Sequence, residues 1–185
     1  MIKFTYSVMR GGKTTELIKT FDQLQRRGEK PVIAKPTTDL REGEFLGWGT
    51  TGSRITKDLK PAFYFDCIEE VFDKVSFGIL LLDEVQFMTP QDIIKLTDLK
   101  QDVLCYGLKS DINANLFPAS ATLLAIADSV KEIPMLCENK GCKNNAQVHS
   151  RYINGKLDKS GFSTMIENGL VSYKSLCYNC WKKER

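Results

Sequence analysis

Ser7-Val8-Met9-Arg10-Gly11-Gly12-Lys13-Thr14 joins a short apolar segment, Ile2 to Tyr6, to a stretch whose apolar residues recur at helical spacing. A strand that feeds a glycine-bearing turn and opens a helix is the setting of a phosphate-binding loop, G-x-x-x-x-G-K-[ST]. Such a loop turns successive backbone N–H groups towards phosphate oxygens, and the dipole at the helix N-terminus adds to the attraction. On this reading the loop through Ser7, Met9, Arg10, Gly11 and Gly12 wraps the phosphates. Lys13 reaches the β- and γ-phosphates, and the Thr14 hydroxyl ligates Mg²⁺. The first glycine position of the pattern holds Ser7. A side chain there is expected to restrict the turn or crowd the phosphates, and so to weaken nucleotide binding.

The partner of such a loop is an apolar strand ending in an acid, and Gly78-Ile79-Leu80-Leu81-Leu82-Asp83-Glu84 supplies one. Its four consecutive apolar residues suit a central parallel strand covered on both faces. Asp83 then emerges at the carboxyl end of the strand, where open α/β sheets bind ligands. There Asp83 can hold Mg²⁺ and Glu84 can act as a base near the γ-phosphate.

Around this pair, strands and helices alternate. Thr14 to Arg27 reads as a helix with Gly28 just past its end, and Pro31 to Ala34 as a strand. Lys35 to Lys60 reads as a long loop rich in glycine and polar residues. Ala62 to Phe65 is expected to be an edge strand, and Asp66 to Lys74 a helix capped by Asp66. Pro90 to Lys100 reads as a helix and Val103 to Leu108 as a buried strand. Ala119 to Ala127 reads as another helix, and Ser129 to Met135 as the last core strand. The order predicts an α/β fold with a mostly parallel sheet covered on both faces, over residues 1–135.

From Leu136 onward the helical periodicity stops and cysteines, asparagines and glycines appear. Residues 136–185 read as a second unit, small enough to need a staple. Cys137 and Cys142, then Cys177 and Cys180, form two knuckles suited to a tetrahedral Cys₄ zinc site of the ribbon type. A closed set of four thiolates leaves no open position, so the zinc is expected to be structural. Cys67 and Cys105 fall in predicted regular elements and read as buried thiols.

Composition narrows the class. Of the 185 residues, 42% are hydrophobic and 26% charged, with a formal net charge of +3. The low charge gives no case for a nucleic-acid partner. No apolar run is long enough to span a membrane, and the first residues lack a signal-peptide pattern. A cytoplasmic location is expected, and cysteines there favour metal over disulfides.

The phosphate loop, then Asp83-Glu84-Val85-Gln86-Phe87, then the Cys₄ appendage together resemble the zinc-containing thymidine kinases, often called type II, over nearly the whole chain. The resemblance implies a RecA-like P-loop domain with a zinc-ribbon lasso domain, and transfer of the ATP γ-phosphoryl group to the 5′-hydroxyl of thymidine. It gives Glu84 the proton from that hydroxyl. It places Asp39 and Arg41 near the phosphates and metal, with Asp83 on the Mg²⁺ side. Phe87 and Phe117 resemble aromatic walls for thymine, with Met9, Leu108 and Tyr173 completing the pocket. Backbone groups around Gly169 hydrogen-bond the base edge. The family is typically a homotetramer. Ile112 stands where the family usually carries an aromatic residue, and the first zinc knuckle is longer than usual.

His149, the only histidine, stands where the family places a small polar residue beside the thymine 5-methyl group. It reads as a surface residue of the ribbon hairpin, as a fifth candidate at a zinc site that four thiolates already close, or as part of the base pocket. The pocket reading makes the thymidine KM rise below about pH 6.5. Two other functions fit parts of the sequence: a catalytically weak nucleotide-binding regulator, and a zinc-ribbon ATPase that binds nucleic acid.

Overall fold

The computed structural model describes residues 1–37, 63–74, 78–160 and 170–185. Six strands form one sheet: β1 (Ile2–Ser7), β2 (Pro31–Pro36), β3 (Phe63–Phe65), β4 (Ile79–Leu82), β5 (Val103–Leu108) and β6 (Ser129–Glu132). Their order is β3-β2-β4-β5-β1-β6. Every neighbouring pair is parallel, so all six carboxyl ends lie along one edge. The helices of this unit are α1 (Lys13–Arg26), α2 (Glu69–Lys74), α3 (Pro90–Lys95) and α4 (Pro118–Ile126).

The leucine run of β4 shows why the sheet is covered on both sides. Leu80, Leu81 and Leu82 are all fully buried. Leu80 and Leu82 join Phe4, Val103, Cys105 and Leu123 in the main apolar cluster. Leu81 faces the other way, into a cluster with Leu17, Ile18 and Leu24 of α1. Side chains alternate across a strand, so a continuous apolar run needs a partner on each face. α1 itself ends as its sequence predicts. Gly28 is left-handed (φ 81°), its N–H donates to Gln25 (2.9 Å) and that of Glu29 donates to Leu24 (3.1 Å). These two bonds are a Schellman closure.

Several local expectations need correction. Asp66 does not cap the second helix, because α2 begins at Glu69. The Glu70 carboxylate instead accepts the backbone N–H groups of Asp66 and Cys67 (3.2 and 3.4 Å). That later start leaves Cys67 in an exposed bend, whereas Cys105 is buried as expected. Lys35 and Pro36 belong to β2 rather than to a loop. The helix from Pro90 stops at Lys95, and Leu96–Asp98 tightens into a 3₁₀ turn. β6 is an exposed edge strand rather than a core strand. Its Ser-Val-Lys-Glu sequence offers little to bury.

A second sheet, antiparallel and ordered β8-β7-β9, contains β7 (Val148–Ile153), β8 (Lys156–Leu157) and β9 (Val171–Leu176). The short helix α5 (Tyr178–Glu184) follows. β9 and α5 touch the loops of the first sheet at specific points. Ser175 Oγ donates to the Met9 carbonyl (2.7 Å), and Trp181 Nε1 donates to the Ile112 carbonyl (3.1 Å). No helix among the described residues is long and apolar enough to cross a membrane.

Candidate active site

The carboxyl edge of the six-stranded sheet gathers Ser7, Lys13, Asp83 and Glu84 among the polar groups that the sequence singled out. β1 runs into the loop at Val8–Gly12, and Ser7 lies opposite Leu108 of β5. The loop closes with Gly11 N–H donating to the Val8 carbonyl (3.1 Å). Arg10 and Gly12 adopt left-handed backbone (φ 58° and 84°). Lys13 is buried, with Nζ donating to the Val8 carbonyl (3.3 Å). That cation sits folded over its own loop.

Ser7 does not strain this loop. Its backbone is the last of β1 and lacks the positive φ that would demand glycine. Its hydroxyl donates to the Ile133 carbonyl (2.8 Å). The side chain also fills the space beside Gly11, where a Cβ would collide with it. Within the loop itself, the side chain at position 7 is accommodated by the hydroxyl's own hydrogen bond and by glycine at position 11.

Across from the loop, Asp83 follows β4 and is buried. Burial pushes its carboxyl up to about 7, reinforced by the Glu84 charge and opposed by Lys35 and Lys13. A buried carboxylate so short of compensating charge suits a divalent cation, which would take the place of its proton. Glu84 is left-handed (φ 54°), a rare conformation for a glutamate and of the kind found at functional sites. Its N–H donates to Asp83 Oδ1 (3.0 Å).

Two residues near these acids were missed in the sequence reading. Lys35, buried at the end of β2, contributes charge at Asp83. A lysine at the end of an apolar strand was the available signal. Gln86 is buried and hydrogen-bonds both Glu84 and the Leu108 backbone. Nothing in a linear reading shows that second contact.

Beside the loop an apolar cluster joins Ile112, Val171 and Tyr173, with Met9 and Ile153 packed against it. Met9 thus belongs to the phosphate loop and packs against this buried cluster at once. His149 is buried on β7, its ring edge-on to Tyr173 (centroids 5.6 Å apart, 71° between planes). It is not a surface residue. Burial first, then the charges of Lys13 and Arg151, push its imidazole down to about 3. It stays neutral through the physiological range, so a KM change from its protonation near pH 6.5 is not expected. Leu108 and Phe117 are buried at the end of β5 and at the start of α4. Phe87 closes the 3₁₀ turn after Glu84. Asp39, Arg41 and Gly169 lie outside the described residues.

The four cysteines of the second unit come together, with all their sulfurs within 4.8 Å of one another. Cys142 and Cys177 sulfurs are 3.8 Å apart. A zinc tetrahedron with bonds of about 2.3 Å has edges of roughly that length. The long first knuckle is accommodated by Gly141 in left-handed backbone (φ 79°) and by Cys142 N–H donating to the Asn139 carbonyl (2.9 Å). Asn139 Nδ2 also donates to Cys180 Sγ (3.2 Å), the kind of outer contact that orients a metal ligand. The Cys177 thiol is pulled down to about 6, chiefly by the Cys180 backbone N–H, which favours the thiolate a metal needs.

A glycine-bearing loop facing an Asp-Glu turn on a parallel sheet, with a four-cysteine unit that fits zinc packed beside it, is an arrangement suited to P-loop phosphoryl transfer. The sequence model of the thymidine kinase family matches residues 1–181, and the chain belongs to that family. Among curated relatives, the thymidine kinase of Haemophilus influenzae strain Rd is 33% identical over 190 residues, covering 98% of this chain and 95% of that protein. That of Ruegeria pomeroyi is 32% identical over 191 residues, covering 97% and 92%. That of Francisella tularensis subsp. holarctica is 29% identical over 196 residues, covering 97% and 95%.

Proposed function

We propose that this protein transfers the γ-phosphoryl group of ATP to the 5′-hydroxyl of thymidine, giving thymidine monophosphate and ADP. One observation carries the reading beyond family membership. Met9, in the phosphate loop, packs against the buried apolar cluster of Ile112, Val171 and Tyr173, while Glu84 follows β4 at the same sheet edge. In this reading that cluster walls the place where an apolar acceptor meets the phosphate donor beside the carboxylate.

In this reading the backbone from Ser7 through Met9, Arg10, Gly11 and Gly12 cradles the phosphates, and Lys13 spreads its charge over them. Thr14 and Asp83 would hold Mg²⁺, which when bound neutralises charge on the phosphates. Asp39 and Arg41 act on the same side. Glu84 accepts the proton as the 5′-oxygen attacks phosphorus, and the bond from the γ-phosphorus to the bridging oxygen of ADP breaks. Phe87, Leu108, Phe117 and Tyr173 enclose the base with Met9. His149, neutral, backs Tyr173, and the backbone at Gly169 meets the base edge. Residues 1–135 carry the nucleotide, and residues 136–185, stapled by zinc, complete the nucleoside pocket. A homotetramer in the cytoplasm, without nucleic acid, completes the proposal by family resemblance.

The test is ADP release measured in parallel with thymidine, deoxyuridine, deoxycytidine and single-stranded DNA. Thymidine should stimulate most and DNA not at all. Glu84→Gln should bind ATP normally and lose about 10²- to 10⁴-fold in kcat. Stimulation by DNA alone, or a Glu84→Gln variant of normal rate, overturns the assignment.

A further inference from the structure

We propose that Gln86 is a positioning residue that fixes which oxygen of Glu84 receives the proton. This rests on the reading of Glu84 as the base. Gln86 lies in the 3₁₀ turn Val85–Phe87, immediately after the left-handed Glu84. Its side chain is 4% exposed and spans from β4 to β5. Oε1 accepts the Leu108 backbone N–H (2.9 Å), and Nε2 donates to Glu84 Oε2.

The polarity of this bridge is forced by chemistry. A backbone N–H can only donate, so it takes the amide oxygen. The amide NH₂ is then left facing the carboxylate, which accepts. A flipped amide would set donor against donor at Leu108. One Glu84 oxygen is thereby tethered, and Oε1 remains as the acceptor for the substrate proton.

The site for the amide is built from the opposite strand. A Cβ on Gly107 would stand 2.8 Å from Gln86 Oε1 and 2.8 Å from Val85 Cγ2. Position 107 has no side chain to intrude, and the amide lies in that space. Because Leu108 is paired with Ser7, where the phosphate loop begins, the base is referenced through one amide to the strand that borders the loop. A carboxylate on a strained turn could otherwise rotate freely about its side-chain bonds, and an error of about 1 Å costs on the order of 10² in rate.

Two variants of the zinc-loaded protein separate positioning from structure. Gln86→Glu keeps an acceptor for the Leu108 N–H and loses the donor to Glu84. Gln86→Met keeps the length and loses both. Both should lower kcat about 30- to 100-fold, with KM for ATP and for thymidine changed less than about threefold on the same grounds. Introduced into Glu84→Gln, neither should reduce the residual rate further, because the group they orient is gone. Normal kcat in Gln86→Glu means that only the link to Leu108 matters and overturns the proposal. So does an equally large loss in the Glu84→Gln background. A Glu84→Gln single variant of normal rate is a separate result, and it removes the base reading itself.

Discussion

Asp83 and His149 are buried ionisable groups whose shifts work in opposite senses. The Asp83 carboxyl is raised to about 7, by burial first and then by Glu84. Between its ordinary value near 3.8 and about 7 the folded state holds the proton and the unfolded state does not, so stability rises as pH falls through that window. His149 is lowered to about 3. Between about 6.5 and 3 the unfolded chain holds its proton and the folded state does not, so stability falls as pH falls. Each group alone gives a slope of up to about 1.4 kcal/mol per pH unit, and from pH 4.5 to 6 the two oppose each other in the nucleotide-free protein. Urea unfolding across that range should therefore show only a weak contribution from the pair. Asp83→Asn should become less stable towards low pH, and His149→Asn more stable relative to wild type. Parallel slopes in the two variants would show that at least one of the groups is not buried as described. Neither shift was legible beforehand, since the sequence marks the residue types and not the water around them.

The meeting of β4 and β5 is the element on which the acids depend. Gly107 is glycine for reasons of space, because its φ is not positive and only the room beside Gln86 and Val85 is missing. Gly107→Ala should cost roughly 1–3 kcal/mol by overpacking, read as a lower urea midpoint with an unchanged slope. It should also lower kcat by pushing the Gln86 amide off Glu84. An alanine variant of unchanged midpoint and rate would mean that the turn yields easily. This element also shows how far sequence alone reaches. The leucines of β4 and the acid after them were legible, because a buried parallel strand repeats one kind of residue and then stops. The amide bridge was not, because Gln86 and Leu108 are brought together only by the pairing of strands. The exposure of Cys67 and of β6 escaped for a similar reason: each depends on where an element starts or on what covers it.

At the scale of the whole molecule, the cysteine cluster and the phosphate loop are joined by short mechanical links. Cys177 precedes α5, and Trp181 on that helix packs against the cysteine cluster while its indole N–H holds the Ile112 carbonyl. Ile112 packs with Tyr173 and Met9 in the buried apolar cluster beside the loop. One residue before Leu176, Ser175 holds the Met9 carbonyl. A metal held at the cysteines would therefore steady this side of the loop from two directions. Zinc in small cysteine-rich units contributes on the order of 10–16 kcal/mol to their folding, far more than these hydrogen bonds supply at about 1 kcal/mol each. Cys177→Ser, or chelation, should release α5 and β9, raise the thymidine KM by more than about tenfold, a loss of about 1.4 kcal/mol, and leave ATP binding by the first unit largely intact. Metal analysis of the wild type should return one zinc per chain. Titration with a fluorescent ATP analogue and thymidine kinetics on the same zinc-free sample provide the check. Equal losses for both ligands would mean that the two units fold as one. An unchanged thymidine KM would mean that the ribbon does not shape the pocket.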